Sequence, residues 1–178
     1  MTKSNVSVLF GTILLVAGLR MMKGPFYPNV EPIMLFTIVT ALAYGPRAGG
    51  LLGAGSLIVS DIMMGLPGPW TLYTGLSYGA IGVVAGLLGS WKKSWKREAL
   101  AALAFVATIF YDAVTATFWG LQTMQPLLVV YAAQVPFTLL HLSNCALAYI
   151  FAPEMMKALY YAKDFSLQKF LKELRLIA

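Results

Sequence analysis

One uncharged stretch decides the fold: AVTATFWGLQTMQPLLVVYAAQVPFTLLHLSNCALAYIFAP, residues 113–153. It contains no Asp, Glu, Lys or Arg, and it is about twice as long as the roughly 20 apolar residues that a helix needs to cross a bilayer. Near its middle, the segment from Gly120 to Pro126 contains a Gly, two Gln and a Pro, a composition that favours a turn. The stretch therefore predicts the end of one membrane helix, a turn and a second membrane helix.

The composition of the whole chain agrees with a membrane protein. Of its 178 residues, 59% are hydrophobic and only 11% are charged, whereas soluble domains contain about 45–50% apolar and about 25% charged residues. A water-soluble fold could not bury so much apolar surface, and a disordered chain requires low hydrophobicity. The single Cys145 permits no internal disulfide, and the single His141 leaves no zinc site. We therefore interpret the chain as an integral membrane protein.

Other uncharged stretches extend the pattern towards the N-terminus. Two of the helices that they predict are short, so we expect one of these to be tilted or packed wholly against protein. The first apolar segment leads directly into further apolar segments, and we interpret it as a retained span and not as a signal peptide. The expected fold is an all-α membrane protein, a compact bundle of six transmembrane helices. The predicted helices cover residues 5–22, 32–45, 48–64, 71–90, 97–119 and 127–152.

The positions of the charges orient this bundle. With the N-terminus inside, eleven of the 13 basic residues fall in inner segments, and only Arg20 and Lys23 fall in outer segments. Basic residues concentrate on the cytoplasmic side of membrane proteins. We therefore expect a multi-pass protein of the cell membrane with both termini in the cytoplasm. The net charge of +6 is explained by this orientation, and we expect no nucleic-acid partner.

The C-terminal residues follow a different pattern. Leu167, Phe170, Leu171 and Leu174 are spaced as on one face of a helix, with charged residues around them. This spacing predicts a cytoplasmic amphipathic helix that lies on the lipid bilayer or docks to a protein. We therefore divide the chain into a transmembrane domain, residues 1–152, and a cytoplasmic tail, residues 153–178.

Polar residues recur along the two predicted helices of the uncharged region. Asp112 and Gln134 each lie seven residues from the outer end of their helix, which places both about 10 Å below the surface at 1.5 Å per residue. Polar side chains avoid lipid, so these faces predict either a ligand pocket or an interhelical hydrogen bond. The two polar faces comprise Thr108, Tyr111, Asp112, Thr115 and Trp119, and Tyr131, Gln134, Thr138, His141 and Cys145.

The outer loop before helix 4 adds aromatic residues near the same surface. Trp70, Tyr73 and Thr74 follow a Gly- and Pro-rich segment, and aromatic rings above a polar cavity suit a flat, ring-containing ligand. An interfacial aromatic belt is the alternative. Below this loop, Asp61 is positioned to pair with Arg20 as a structural brace.

No catalytic motif is present. The sequence has no Gly-rich phosphate loop, no nucleophile beside a base and no His-rich metal motif. We therefore expect neither an enzyme nor a cofactor or metal site, and we expect that this chain alone does not hydrolyse ATP.

Four segments resemble the substrate-binding S component of energy-coupling factor (ECF) transporters. They are Asn29–Met34, Tyr44–Gly49, Asp61 and Gly68–Tyr73, and the resemblance covers about residues 5–152. It implies a non-enzymatic subunit that binds a small vitamin or vitamin precursor near the outer surface. It also implies a separate energising module, a transmembrane coupling subunit with two ATPase subunits.

The resemblance also implies that helix 1 contacts this module. Members of the family commonly make this contact through an Ala-x-x-x-Ala pattern. This sequence has Ser7 and Gly11 at that spacing instead. The alternative function is a stand-alone carrier or channel that uses Asp112 and His141 for proton or ion coupling. The expected substrate-binding residues are Trp70, Tyr73, Thr74, Tyr111, Asp112, Thr115, Trp119, Tyr131, Gln134, Thr138 and His141.

Overall fold

A computed structural model describes residues 3–23, 31–92 and 94–164. Within these ranges the chain forms seven α-helices and no strand. The helices are α1 (Lys3–Lys23), α2 (Pro32–Tyr44), α3 (Pro46–Met63), α4 (Pro69–Trp91), α5 (Arg97–Thr123), α6 (Leu127–His141) and α7 (Ser143–Asp164).

Three segments in the described part of the chain are long and apolar enough to cross a membrane. They are Pro69–Trp91, Arg97–Thr123 and Leu127–Tyr161, the last of which contains both α6 and α7. Two shorter apolar helices cover Val6–Met22 and Pro32–Tyr44. Large apolar side chains are exposed on the outer faces of these helices, as lipid requires. The fold is thus an all-helical bundle compatible with a membrane; the count of six spans and their orientation stay predictions.

Proline begins three of the helices. Pro32, Pro46 and Pro69 occupy the first helical turn of α2, α3 and α4. An N–H group at this position has no partner within the helix, so the absence of this group in proline costs no hydrogen bond. Helix α4 therefore starts slightly before the predicted residue 71. Helix α5 continues past the predicted end at residue 119 and stops at Met124, whose φ of 54° is left-handed.

The single helix predicted for residues 127–152 is wrong in two respects. First, it is divided at Leu142, where the amide of Cys145 donates to the Leu142 carbonyl at 3.0 Å in an i to i+3 turn. Second, the second half, α7, continues to Asp164, into the segment predicted as tail. The amphipathic helix expected around residues 167–174 lies outside the described residues.

An arginine compensates for the proline inside α7. Pro153 has no N–H, so the carbonyl of Tyr149 loses its helical partner. Arg97 of α5 donates to this carbonyl at 3.2 Å and to that of Ile150 at 3.3 Å, and it pairs with Glu154 at 3.1 Å. These contacts connect α7 to the start of α5.

Helix α2 forms the centre of the bundle. It packs against α1, α3, α4, α5 and α7, and Ile33, Ile38 and Val39 are fully buried. Beside it, α3 and α4 approach closely because Gly82 faces the backbone of Gly49, where a side chain would collide. The close packing of α3 against α4 therefore depends on glycines in both helices.

Helix α6 lies at the edge of the bundle. Within the described residues it packs against α5 and, at its end, against α7, and no Cα atom of α6 comes within 8 Å of one in α4. Only Val130 and His141 of α6 are buried. A cleft therefore separates α4 from α6, with α5 as its floor.

Candidate functional site

The cleft between α4 and α6 contains a cavity of about 390 Å³. Three helices and the turn before α6 contribute its walls, so no single segment of the sequence forms the site. The residues that line it are Trp70, Tyr73 and Thr74 from α4, Thr115, Ala116 and Trp119 from α5, Gln125 from the turn, and Val129, Val130, Ala133, Gln134 and Phe137 from α6.

The first turns of α4 bring three of these side chains to one face. Trp70, Tyr73 and Thr74 are three and four residues apart, the spacing of neighbours on a helix surface. The Thr74 hydroxyl donates to the Trp70 carbonyl at 2.6 Å, and the Tyr73 ring stacks on Phe118 with centroids 5.5 Å apart. The stacking on Phe118 thus connects the α4 wall of the cavity to α5.

The lining chemistry of this cavity is aromatic, with polar groups that carry no charge. Among the described residues that line it, none is charged. The Thr115 hydroxyl donates to the Tyr111 carbonyl at 2.9 Å, which leaves its oxygen able to accept a bond. The amides of Gln125 and Gln134 each offer donors and an acceptor. This combination suits a flat, uncharged molecule with polar edges.

A second cavity of about 300 Å³ lies on the other flank of α6. Gln134 lines both cavities, and it meets Asp112 only in the second. Asp112 and Gln134, which were expected to share one pocket, thus line the same cavity. This cavity does not include Trp70. The second cavity is lined by Ile109, Asp112, Ala113, Tyr131, Gln134, Val135, Thr138 and Leu139.

Asp112 is held by His141 across the contact between α5 and α6. The Nδ1 atom of His141 lies 2.6 Å from Oδ1 of Asp112, and the two residues are only 8% and 2% exposed. The other oxygen of Asp112, Oδ2, is buried without a hydrogen-bond partner in the part of the chain that the structure describes. The interhelical hydrogen bond considered as the alternative to a pocket is therefore present, with His141 as the partner of Asp112.

Two of the expected ligand residues are engaged in ring or hydroxyl contacts. Tyr111 lines neither cavity: its ring packs on Tyr78 with centroids 4.6 Å apart and meets the edge of His141 at 5.8 Å. The Tyr131 and Thr117 hydroxyl oxygens are 2.6 Å apart and share a hydrogen bond. Tyr131 still lines the second cavity, together with Thr138.

Several lining residues were not expected from the sequence. Val129, Ala133 and Phe137 are four residues apart on α6, and their spacing is the signal that would have placed them beside the polar face. Gln125 lies in the segment predicted only as a turn.

The predicted pairing of Arg20 with Asp61 is confirmed. Arg20 Nη1 lies 2.5 Å from Asp61 Oδ1 and 2.6 Å from the Ser60 hydroxyl, and Arg20 Nε lies 3.7 Å from Glu31 Oε2. These contacts join α1, α3 and the residue that precedes α2.

On α1, the two residues expected to contact a partner are exposed. Ser7 and Gly11 face outward beside the exposed apolar side chains of Phe10, Leu14 and Leu15, and a side chain added at Gly11 would meet no atom within 4 Å. Elsewhere, the described residues contain no group of three His, Cys, Asp or Glu that could hold a metal ion.

The chain matches the model of a known family. A family model described as the S component of an ECF-type riboflavin transporter matches residues 1–160. The chain belongs to this family. The resemblance seen in the sequence is therefore confirmed, and the S component is a membrane-embedded, vitamin-binding subunit of an ECF-type transporter and not an enzyme. No curated protein and no solved structure matches the chain.

Proposed function

We propose that this S component binds riboflavin from outside the cell and delivers it through a separate energising module, a transmembrane coupling subunit with two ATPase subunits. The observation that carries the proposal is the uncharged, aromatic cavity between α4, α5 and α6. It occurs in a chain whose family is described as the S component of a riboflavin transporter. Its 390 Å³ volume falls within the range of about 300–1,000 Å³ that is typical of small-molecule sites.

The flavin ring system fits the aromatic walls. It is flat and fused, so it can stack on Trp70, Trp119 or Phe137. Its edge alternates hydrogen-bond donors and acceptors, which match the amides of Gln125 and Gln134. Because none of the described residues that line the two cavities is a lysine or arginine, a phosphorylated flavin would lose its hydration without gaining a counter-charge. We therefore expect the site to prefer riboflavin over its phosphate ester.

The second cavity extends the proposed site. Riboflavin carries a chain of hydroxyl groups on its ring system, and a chain that passes Gln134 reaches Asp112, Tyr131 and Thr138. The Oδ2 atom of Asp112, which has no hydrogen-bond partner within the described residues, can accept a bond from a ligand hydroxyl. In this arrangement His141 holds the carboxylate in place from the other side.

The exposed face of α1 is the proposed contact with the coupling subunit. Ser7 and Gly11 lie on it, and the lack of a side chain at Gly11 leaves room for a close approach by another helix. Phe10 and Leu14 add apolar surface beside them. This contact requires the proposed topology of six membrane spans with both termini in the cytoplasm, so that the S component can meet a membrane partner and its cytoplasmic ATPases.

Two measurements test the proposal. Mass spectrometry of the compound that co-purifies with the protein should identify riboflavin. Uptake of riboflavin by cells should require the coupling and ATPase subunits together with this chain, while the purified chain alone should hydrolyse no ATP. Uptake by this chain without the module would instead favour a stand-alone carrier that uses Asp112 and His141.

A further inference from the structure

Asp61 connects two helices through its two carboxylate oxygens. Oδ1 accepts a bond from Arg20 of α1 at 2.5 Å, and Oδ2 accepts a bond from the Thr71 hydroxyl of α4 at 2.6 Å. Asp61 is 3% exposed and Thr71 is 8% exposed. Both oxygens of this buried carboxylate are therefore used, and Arg20 supplies the counter-charge that keeps it there.

Thr71 lies in the part of α4 that forms a wall of the first cavity. Trp70 precedes it and Tyr73 and Thr74 follow it, and all three line the cavity while Thr71 does not. The Thr71 side chain points instead to Asp61. One helical turn thus has two faces: the first borders the proposed ligand, and the second is anchored to α3.

The same two residues also fix the loop before α4. The Thr71 oxygen accepts a bond from the Gly68 amide at 3.2 Å, and the backbone carbonyl of Asp61 accepts one from the Leu66 amide at 2.9 Å. The side chain and the backbone of Asp61 therefore hold the chain on both sides of the Gly68 turn. This geometry leaves little freedom for the start of α4.

We propose that Asp61 and Thr71 are positioning residues of the substrate site: they hold the first turn of α4 so that Trp70, Tyr73 and Thr74 face the ligand cavity. Neither residue contacts the cavity itself. The identity of the ligand in the test below rests on the proposed function, whereas the positioning of α4 does not.

The first measurement is the dissociation constant for riboflavin. Thr71→Val removes the hydroxyl and keeps the shape of the side chain, and we expect it to weaken binding by about tenfold, because a first turn of α4 that is released from Asp61 must be ordered again when the ligand binds. Thr71→Ser keeps the hydroxyl and should restore the affinity. The matched control is Thr37→Val, a fully buried threonine on α2, which should leave affinity unchanged. A lower melting temperature for Thr71→Val with unchanged affinity would show a purely structural role and overturn the proposal.

The second measurement needs no ligand. A nitroxide spin label attached to Leu72→Cys in a Cys145→Ser background reports the motion of the first turn of α4 from an exposed position. The label should be immobile with Thr71 or Thr71→Ser and clearly more mobile with Thr71→Val. Equal mobility in all three would contradict the proposal. If the unaltered protein binds no riboflavin, the proposed function fails, and the spin label still decides whether Asp61 and Thr71 position α4.

Discussion

The imidazole of His141 lies 2.6 Å from the carboxylate of Asp112, and this contact joins the end of α6 to the middle of α5. Helix α6 has few other attachments, since Val130 is its only other buried residue. The helix is interrupted at Leu142, immediately after His141. The pair thus fixes α6, and with it one wall of each cavity, at the point where the helical segment is interrupted.

The stability of the bundle should depend on this pair. His141→Ala leaves a buried carboxylate without a partner, and removing one member of a buried pair typically costs about 3 kcal/mol or more. We expect the melting temperature in detergent to fall by several degrees. Cys145→Ala, one turn further along α7, should change it little. An unaltered melting temperature for His141→Ala would show that the contact does not stabilise the fold.

Replacing Asp112 separates a ligand contact from a structural one. We expect Asp112→Asn to weaken riboflavin binding by roughly 10- to 100-fold, because a hydrogen bond to a charged acceptor is lost. Lumichrome has the flavin ring system but not the hydroxyl chain, so its affinity should be unchanged. Calorimetric titration with both compounds makes the comparison.

Gln134→Ala provides the companion measurement. Gln134 lines both cavities, so its loss should weaken both compounds, by about 2- to 10-fold for neutral hydrogen bonds. Gln122→Ala, at an exposed position outside both cavities, serves as the control. Unchanged riboflavin affinity in Asp112→Asn, together with a lowered melting temperature, would reduce Asp112 to a structural role.

The coupling face on α1 predicts a loss of transport without a loss of binding. Gly11→Trp places a large ring where the partner helix must approach closely, so uptake should stop while riboflavin still binds to the purified chain. Leu76→Trp adds the same ring at an exposed position on α4 and should permit uptake. Normal uptake with Gly11→Trp would exclude this face as the contact with the module.

The topology can be measured with single cysteines in a Cys145→Ser background. A cysteine at Gly68 should react with a membrane-impermeant thiol reagent added outside, and one at Lys93 should not. The expectation rests on the excess of basic residues in the inner segments. External labelling at Lys93 would contradict a bundle with both termini in the cytoplasm.

Local patterns in the sequence predicted much of the fold. Uncharged stretches located the helices, and the opposite charges of Arg20 and Asp61 indicated their contact. The starts of α3 and α4 were placed two residues too late, at 48 and 71, because the prolines at 46 and 69 were not used as helix starts. The interruption at Leu142 was missed because no Gly or Pro stands there; it accompanies a contact between His141 and Asp112, which are 29 residues apart.

The candidate site was predicted less completely for a related reason. Depth along two helices predicted that Asp112 and Gln134 border one pocket, and both line the second cavity, but depth contains no information on the rotation of a helix. Rotation decides that Gln134 borders both cavities while Asp112 borders only the second, and that Tyr111 packs behind them. Such rotations are fixed by packing between helices and are not encoded by any single stretch.

The most direct test of the central claim is a titration of riboflavin with the purified chain, followed by the quenching of flavin fluorescence, in the unaltered protein and in Ala133→Trp. Ala133 is exposed and lines the first cavity, so the added ring fills the space between α4 and α6 without disturbing the core. We expect saturable binding of one riboflavin per chain and a loss of roughly 100-fold or more in Ala133→Trp, since a filled pocket cannot accept the ring system. No binding by the unaltered chain, or equal affinity in the two proteins, would contradict it.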